Sequence, residues 1–534
     1  MTEPHPLYVD TLLTALTRDP SHPAVITADG DTVTAGALRT TVHRMAAELA
    51  ERGVGRGRTV SLLSGNRPEV LAARYAVNLL GARVIFLYDG MAPETLAQIA
   101  ESAETSLLLV DPGLHGTAEA LLAHARGPVP EALTLGPVPE ADVRHPRPRT
   151  PLGPDLLAAC AARPSPKLKG AGGTPIPVVP SGARPEDDWC IRHTGGTTGI
   201  PKGIRMAHAP YARLLRTQTL EAAGDPPRFL ACTSLAHLAG IMADLTLVAG
   251  GTVVLQRTFD PAAVLAAIAR HRITHLWLLP PLLYRLLDHP DLATTDLTSL
   301  TRITYGGCAA APDRLRQAME VFGPVLYGSY GQSEAMSITE ARPYDHTVTG
   351  PGGRISVGRP LPGVELAIRD ASGRTLPPGE RGEIHVRSAG VMTGYWKQPE
   401  RTAEVLRDGW LRTGDVGFLD ADGRLYLVDR LKDVVIVVGG HVHPAELEDL
   451  LHTHPAVAHC AVYGVRTADE TEEVHAAIVP APGHPLDTAG IREFVTRHKG
   501  AMYAPTDVHV LDAIPLTPVG KPDKTRLRAA AAAS

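Results

Sequence analysis

Early in the chain, three short and almost uninterrupted apolar runs alternate with helical patterns. They are Thr59-Val60-Ser61-Leu62-Leu63, Arg83-Val84-Ile85-Phe86-Leu87 and Ser106-Leu107-Leu108-Leu109-Val110. A strand with no polar face must be buried on both sides, the condition met in a parallel sheet covered by helices. Ahead of the first run, Leu38, Val42, Met45 and Leu49 recur at helical spacing before Gly53. Pro68 opens a second helix carrying Val70, Leu71, Tyr75 and Leu79. The rhythm resumes with Arg228–Thr233, Thr252–Leu255 and His275–Leu279, then Ile303-Thr304-Tyr305 and Val325-Leu326-Tyr327. The expected class is α/β, with doubly wound sheets in a large N-terminal domain. In such sheets ligands gather beyond the carboxyl ends of strands, where Gly306-Gly307-Cys308-Ala309 and the run from Gly328 to Glu334 fall.

A chain of 534 residues is long for a single core. From about residue 127 to 188 Pro and Gly recur, which reads as a surface excursion. From about 343 to 429 short strands and turns dominate, with a hairpin expected at Asp420-Ala421-Asp422-Gly423. The last stretch has its own mixed α/β pattern. The expected division is a core of residues 1–429 and a small α+β domain of residues 430–534.

At the end of the excursion lies Thr194-Gly195-Gly196-Thr197-Thr198-Gly199-Ile200-Pro201-Lys202-Gly203. Its glycines let backbone N–H groups approach phosphate oxygens, its threonines offer hydroxyls, and Lys202 offers a mobile charge. It is not a P-loop, since Ile200 and Pro201 separate Gly199 from Lys202 and Gly203 follows. Pro201 also forbids a dinucleotide-type helix start there.

Composition narrows the partners. Lys+Arg 52 against Asp+Glu 57 gives a net charge of −5, with no electrostatic footprint for nucleic acid. No apolar run approaches the ~20 residues of a membrane span. Cys160, Cys190, Cys232, Cys308 and Cys460 are scattered, without metal-ligand spacing. The N-terminal residues carry no secretory pattern, and a cytoplasmic setting is the expectation.

Taken with Ile191-Arg192-His193, the Gly/Thr loop resembles the signature of the adenylate-forming superfamily: acyl- and aryl-CoA synthetases, peptide-synthetase adenylation domains and luciferases. Four more motifs follow in the family's order. Tyr330-Gly331-Gln332-Ser333-Glu334 resembles its Tyr-Gly-x-Thr-Glu motif. The resemblance implies that Tyr330 stacks on adenine, Ser333 meets phosphate and Glu334 holds Mg²⁺. Gly306-Gly307-Cys308-Ala309 resembles the wall beside the adenine, and Asp415, ending Asp408-Gly409-Trp410-Leu411-Arg412-Thr413-Gly414-Asp415, the acceptor for the ribose hydroxyls. Arg430 is the partner implied for Asp415. Pro515-Leu516-Thr517-Pro518-Val519-Gly520-Lys521 resembles the loop whose lysine enters the site during adenylation, and Lys432 falls at the family's hinge. The implied fold is a large core with a mobile C-terminal lid. The implied activity uses ATP and Mg²⁺ to adenylate a carboxylic acid, which is then passed to coenzyme A.

Two departures keep other acceptors open. His237 resembles the acyl-pocket histidine of a Pro-Leu-Phe-His segment, but Ser234 and Ala236 replace the proline and the aromatic. Where relatives read Gly-Gly-x-Asn-Ile/Val-Tyr-Pro, this chain reads Val438-Gly439-Gly440-His441-Val442-His443-Pro444. These differences admit an amide-forming ligase, or an enzyme activating nitrite toward an arylamine. His441-x-His443 with His452-x-His454 also invites a zinc reading, but no cysteine or carboxylate completes the set. A catalytically silent nucleotide-binding regulator is a third class. Lys202, Glu334, Asp415, Arg430 and Lys521 are all present, which such a copy has no physical need to keep. Oligomeric state and the identity of the acid are left open.

Overall fold

The computed structural model describes residues 7–87, 91–128, 130–138, 152–162, 179–194, 202–217, 220, 225–348, 350, 353–431, 433, 435–437, 440–466, 472–517 and 520–533. The chain is mixed α/β and forms two compact units. The first holds Met1–Trp277, Pro290–Arg302 and Ala389–Ala403; the second holds Leu278–His289, Ile303–Ser388 and Glu404–Ser534.

In the first unit a seven-stranded sheet runs in the order Gly394–Tyr395, Lys202–Ala207, Asp188–Thr194, Arg83–Leu87, Thr59–Leu63, Thr105–Val110, Glu131–Thr134. The five strands from Asp188–Thr194 to Glu131–Thr134 are parallel. All five residues of Thr59–Leu63 are buried, including Thr59 and Ser61. Ser61 and Thr105 satisfy each other's hydroxyls at 2.8 Å, so polar residues are tolerated at this depth. A second set of strands runs His275–Leu278, Arg228–Ala231, Thr252–Leu255, Pro23–Ile26, Thr32–Thr34, parallel except for the last pair. The helix expected from Leu38, Val42, Met45 and Leu49 spans Ala35–Glu51, with Thr34 accepting from the Ala37 N–H as its cap. Pro68 occupies the first turn of Pro68–Leu79, where its missing N–H costs nothing.

Inside the Pro/Gly-rich stretch the structure adds two elements. Glu131–Thr134 pairs parallel with Thr105–Val110, and Leu156–Ala162 is a helix. The strand forms one edge of the sheet and the helix packs mainly on Ala35–Glu51, so neither depends on a long periodic pattern of its own.

The Pro68–Leu79 helix is buried along its whole length from Val70 onward. Its polar members are therefore held in a network. Asp244, on the Leu238–Val248 helix, accepts from the Arg74 guanidinium and from the hydroxyls of Tyr75 and Tyr211. Tyr8 closes the group, donating to Asn78 and stacking edge-on against Tyr211. Four helices thus share one buried polar network built around an ion pair.

In the second unit the strands Arg302–Gly306 and Leu326–Gln332 are parallel, and Met336–Ala341 returns antiparallel. A five-stranded sheet follows, with Glu365–Arg369, Gly382–Arg387, Trp410–Leu419 and Leu406–Arg407 in order and Leu425–Arg430 paired to Trp410–Leu419. The expected hairpin is present: Gly423, at φ +76°, donates to the Asp420 carbonyl between those last strands. Val457–Arg466, Glu472–Pro480 and Asp507–Val510 form a final sheet, packed by Pro444–Leu451, Thr488–Lys499 and Lys524–Ala533.

One expected loop is a strand. Tyr330, Gly331 and Gln332 continue Leu326–Gln332 into the hairpin, with a register shift at Tyr330/Gly331. A Cβ on Gly331 would stand 2.1 Å from the Met336 carbonyl oxygen. The glycine is there for close backbone approach, and only Ser333, Glu334 and Ala335 make the turn.

Candidate active site

The cross-strand register of Trp410–Leu419 and Leu425–Arg430 places Asp415 opposite Arg430, so the two side chains share a face. Arg430 Nε donates to Asp415 Oδ1 at 2.9 Å. The other carboxylate oxygen, Oδ2, accepts from the Tyr330 hydroxyl at 2.8 Å. Asp415 is buried, and its own N–H donates to Thr413 Oγ1 at 3.1 Å. Each carboxylate oxygen thus has one donor and keeps a lone pair for another, which is what acceptance from a diol requires. Burial, the Asp415 charge and its hydrogen bond push the Tyr330 hydroxyl well above the usual phenol range. Tyr330 therefore stays a neutral donor.

Lys521 approaches this pair from the C-terminal segment. A turn holds it: Thr517 N–H donates to the Lys521 carbonyl at 2.7 Å, Gly520 N–H to the Thr517 carbonyl at 2.8 Å, and Lys521 N–H to Thr517 Oγ1 at 3.1 Å. A Cβ on Gly307 would stand 3.9 Å from Lys521 Cε and 3.8 Å from Leu279 Cδ2. Desolvation by the surrounding protein, then the Arg430 charge, lower the Lys521 pKa from its ordinary value. Cys308, Asp415 and Glu334 act in the opposite sense. Burial pushes the Cys308 thiol up to about 12, so it is an inert wall and not a nucleophile. Arg430 is held above its ordinary pKa: burial opposes its charge, but Asp415, Asp433, Tyr330 and Glu334 outweigh it. Glu334 and Ser333 are half-buried in the turn after Gln332.

The second unit therefore gathers Gly306, Gly307, Cys308 and Ala309, Tyr330, Gly331, Ser333 and Glu334, Asp415, Arg430 and Lys521 into one neighbourhood of alternating charge. Leu279, which contributes the apolar surface beside Gly307, was not anticipated. It follows the His275–Leu278 strand directly and reads in sequence as ordinary core.

In the first unit, Thr194 and Lys202 are register partners at the ends of antiparallel strands. Gly195, Gly196, Thr197, Thr198 and Gly199 lie outside the described residues, as does Lys432. Lys202 Nζ stands 5.1 Å from the centre of the Tyr395 ring, a cation–π distance. Tyr395 comes from the two-residue strand Gly394–Tyr395 on the same sheet, a partner the sequence did not reveal. Gly203 is required by packing, since a Cβ there would stand 2.9 Å from Ile191 Cγ2 and 3.2 Å from His193 Nε2. Burial pulls His193 down to about 4, so it is neutral. His237 is half-buried and stands immediately before the Leu238–Val248 helix, its N–H donating to the Ser234 carbonyl at 3.1 Å.

His443 precedes the helix Pro444–Leu451, and its Nδ1 is 4.0 Å from Asp429 Oδ2. Burial raises Asp429 to about 6. His452 packs against Cys460, 3.6 Å from Sγ to Nδ1, and His454 Nδ1 accepts from the Ala456 N–H. Among the described residues these histidines do not form a metal-ligand set.

The profile of the AMP-binding enzyme family matches residues 12–396, and that of the AMP-binding enzyme C-terminal domain matches residues 446–521. A medium/long-chain-fatty-acid–CoA ligase, FadD8 of Mycobacterium tuberculosis, is 37% identical over 97% of this chain and 89% of its own. The amide bond synthetase McbA of Marinactinospora thermotolerans is 38% identical, with a TM-score of 0.84 over 98% of this chain and 99% of its own. ATP-bound MatB of Rhodopseudomonas palustris is 27% identical, with a TM-score of 0.81 over 97% of this chain and 98% of its own.

Proposed function

The chain belongs to the AMP-binding enzyme family and is an ATP-binding, AMP-forming ligase; from this we propose that it adenylates a carboxylic acid and passes the acyl group to coenzyme A. The observation that carries the reading is the Asp415 carboxylate, shared between Tyr330 and Arg430 with Lys521 and Glu334 in electrostatic reach. In this reading Asp415 accepts from the ribose hydroxyls and Tyr330 lies against adenine, beside Gly306, Gly307, Cys308 and Ala309. The Gly/Thr loop, with Lys202, receives the triphosphate, and Ser333 meets phosphate.

A carboxylate oxygen of the acid attacks the α-phosphorus, the bond to pyrophosphate breaks, and an acyl adenylate forms. Negative charge grows on the bridging and equatorial oxygens, and a preorganised ammonium there stabilises the transition state more than the ground state. That is the role assigned to Lys521. The hard carboxylate oxygen of Glu334 fits Mg²⁺, which when bound would neutralise phosphate charge. The acceptor then attacks the acyl carbon and AMP leaves. His237 flanks the acid. Residues 430–534 act as a lid on the core of residues 1–429, turning about Lys432 between the two steps.

A second reading replaces coenzyme A by an amine. The full-length similarity to an amide bond synthetase and the histidines at 441 and 443 favour it. The test is a panel of aliphatic and aromatic acids, with nitrite, each incubated with ATP, Mg²⁺ and either coenzyme A or an amine. Pyrophosphate and product mass are read together. The expected result is pyrophosphate with an acyl thioester; amide without thioester selects the second reading. Absence of pyrophosphate and AMP with every acid refutes both.

A further inference from the structure

The parallel pairing of Glu472–Pro480 with Asp507–Val510 sets His475 opposite Asp507 and Ala477 opposite His509. Residues two apart in a strand share a face, so His475, Asp507 and His509 all point to the same side. His475 Nδ1 lies 3.0 Å from His509 Nε2, and Asp507 Oδ2 lies 3.8 Å from the same Nε2. The three ligand atoms fall within 4.8 Å of one another. Ligands about 2.0–2.1 Å from a tetrahedral centre stand roughly 3.3–3.4 Å apart, between the two separations found here. Rotation of the Asp507 side chain, which is 60% exposed, brings the third ligand in.

The surroundings suit a cation. Glu473 Oε2 is 3.7 Å from the other ring nitrogen of His475, the place where a carboxylate orients a metal-binding imidazole. Tyr463 packs its ring against both imidazoles, with centroids 6.0 and 6.3 Å away. Two imidazole nitrogens and one carboxylate select a borderline transition ion over Mg²⁺ or Ca²⁺, which demand oxygen.

We propose that His475, His509 and Asp507 form a three-ligand site for a borderline divalent cation of the Zn²⁺ type. The site shares no residue with the nucleotide chemistry. Bound there, the ion ties the edge strand Asp507–Val510 to the sheet. That strand leads directly into the segment carrying Lys521, so its occupancy steadies the start of that segment.

The test uses full-length protein stripped with a chelator and titrated with Zn²⁺ against a competing indicator dye, without ATP. One equivalent of binding is expected. His509→Ala and Asp507→Asn, both at the accessible edge of the sheet, should abolish or weaken it, and Glu473→Gln should lower affinity about 10–100-fold. His484→Ala and His498→Ala, elsewhere on the surface, should titrate as the parent does. The melting temperature should rise with Zn²⁺ in the parent and not in Asp507→Asn. A parent that takes up no equivalent, or His509→Ala and Asp507→Asn variants that titrate like it, would overturn the proposal.

Discussion

In a Lys521→Ala variant, acid-dependent pyrophosphate release is expected to fall by roughly 10²–10³-fold, the scale of removing one preorganised donor from a transition state. Transfer started from preformed adenylate should be retained, because the lysine serves the step at phosphorus. The turn that presents it is built from backbone bonds and Thr517 Oγ1, so the variant should fold and bind as the parent does. A loss of kcat without a matching rise in KM for ATP is the signature. The sign of the pH effect follows from the lowered Lys521 pKa. As pH rises through that value the ammonium is lost, so the alkaline limb of adenylation should begin below the ordinary lysine range. Pyrophosphate release unchanged in Lys521→Ala would remove the lysine from the chemistry.

The largest expected effect on stability lies in the first unit. Asp244→Ala strips the partner from Arg74, and both side chains are almost fully buried. Removing one member of a buried pair leaves an uncompensated charge and costs about 3–5 kcal/mol. Tyr75 and Tyr211 lose their acceptor as well. A fall in melting temperature on the order of 10 °C is expected, read by calorimetry or circular dichroism. Replacing both members by apolar residues, as in Arg74→Met with Asp244→Leu, should recover much of the loss, because no charge is then stranded. A single variant that melts with the parent would show that the pair carries no stability.

That network shows where sequence reading runs out. The apolar stripe Val70, Leu71, Tyr75, Leu79 was enough to place a helix. It did not show that Arg74, on the same helix, is also buried, since that depends on Asp244 arriving from a helix 170 positions away. The strands Thr59–Leu63 and Arg83–Leu87 were legible because continuous burial leaves a local record. Glu131–Thr134 was not, because four residues at a sheet edge leave almost none. At the candidate site, Asp415, Arg430, Tyr330 and Lys521 were legible through motifs whose chemistry restricts residue type. Leu279 contributes only apolar surface, which many residue types supply, and the Tyr395 ring meets Lys202 only through the pairing of a two-residue strand. The pairing of His475 with Asp507 and His509 was hidden for another reason: it exists only in the register of two parallel strands.

In the proposed reaction an oxygen of the acid attacks the innermost phosphorus of ATP. The most direct measurement uses the acid identified by the panel, labelled with heavy oxygen in its carboxylate, in a single turnover with ATP and acceptor, followed by mass analysis of the nucleotide and phosphate products. One labelled oxygen is expected in AMP and none in pyrophosphate, because the acid's bridging oxygen stays on phosphorus when the acyl group departs. Unlabelled AMP, or label recovered in inorganic phosphate beside ADP, would contradict it.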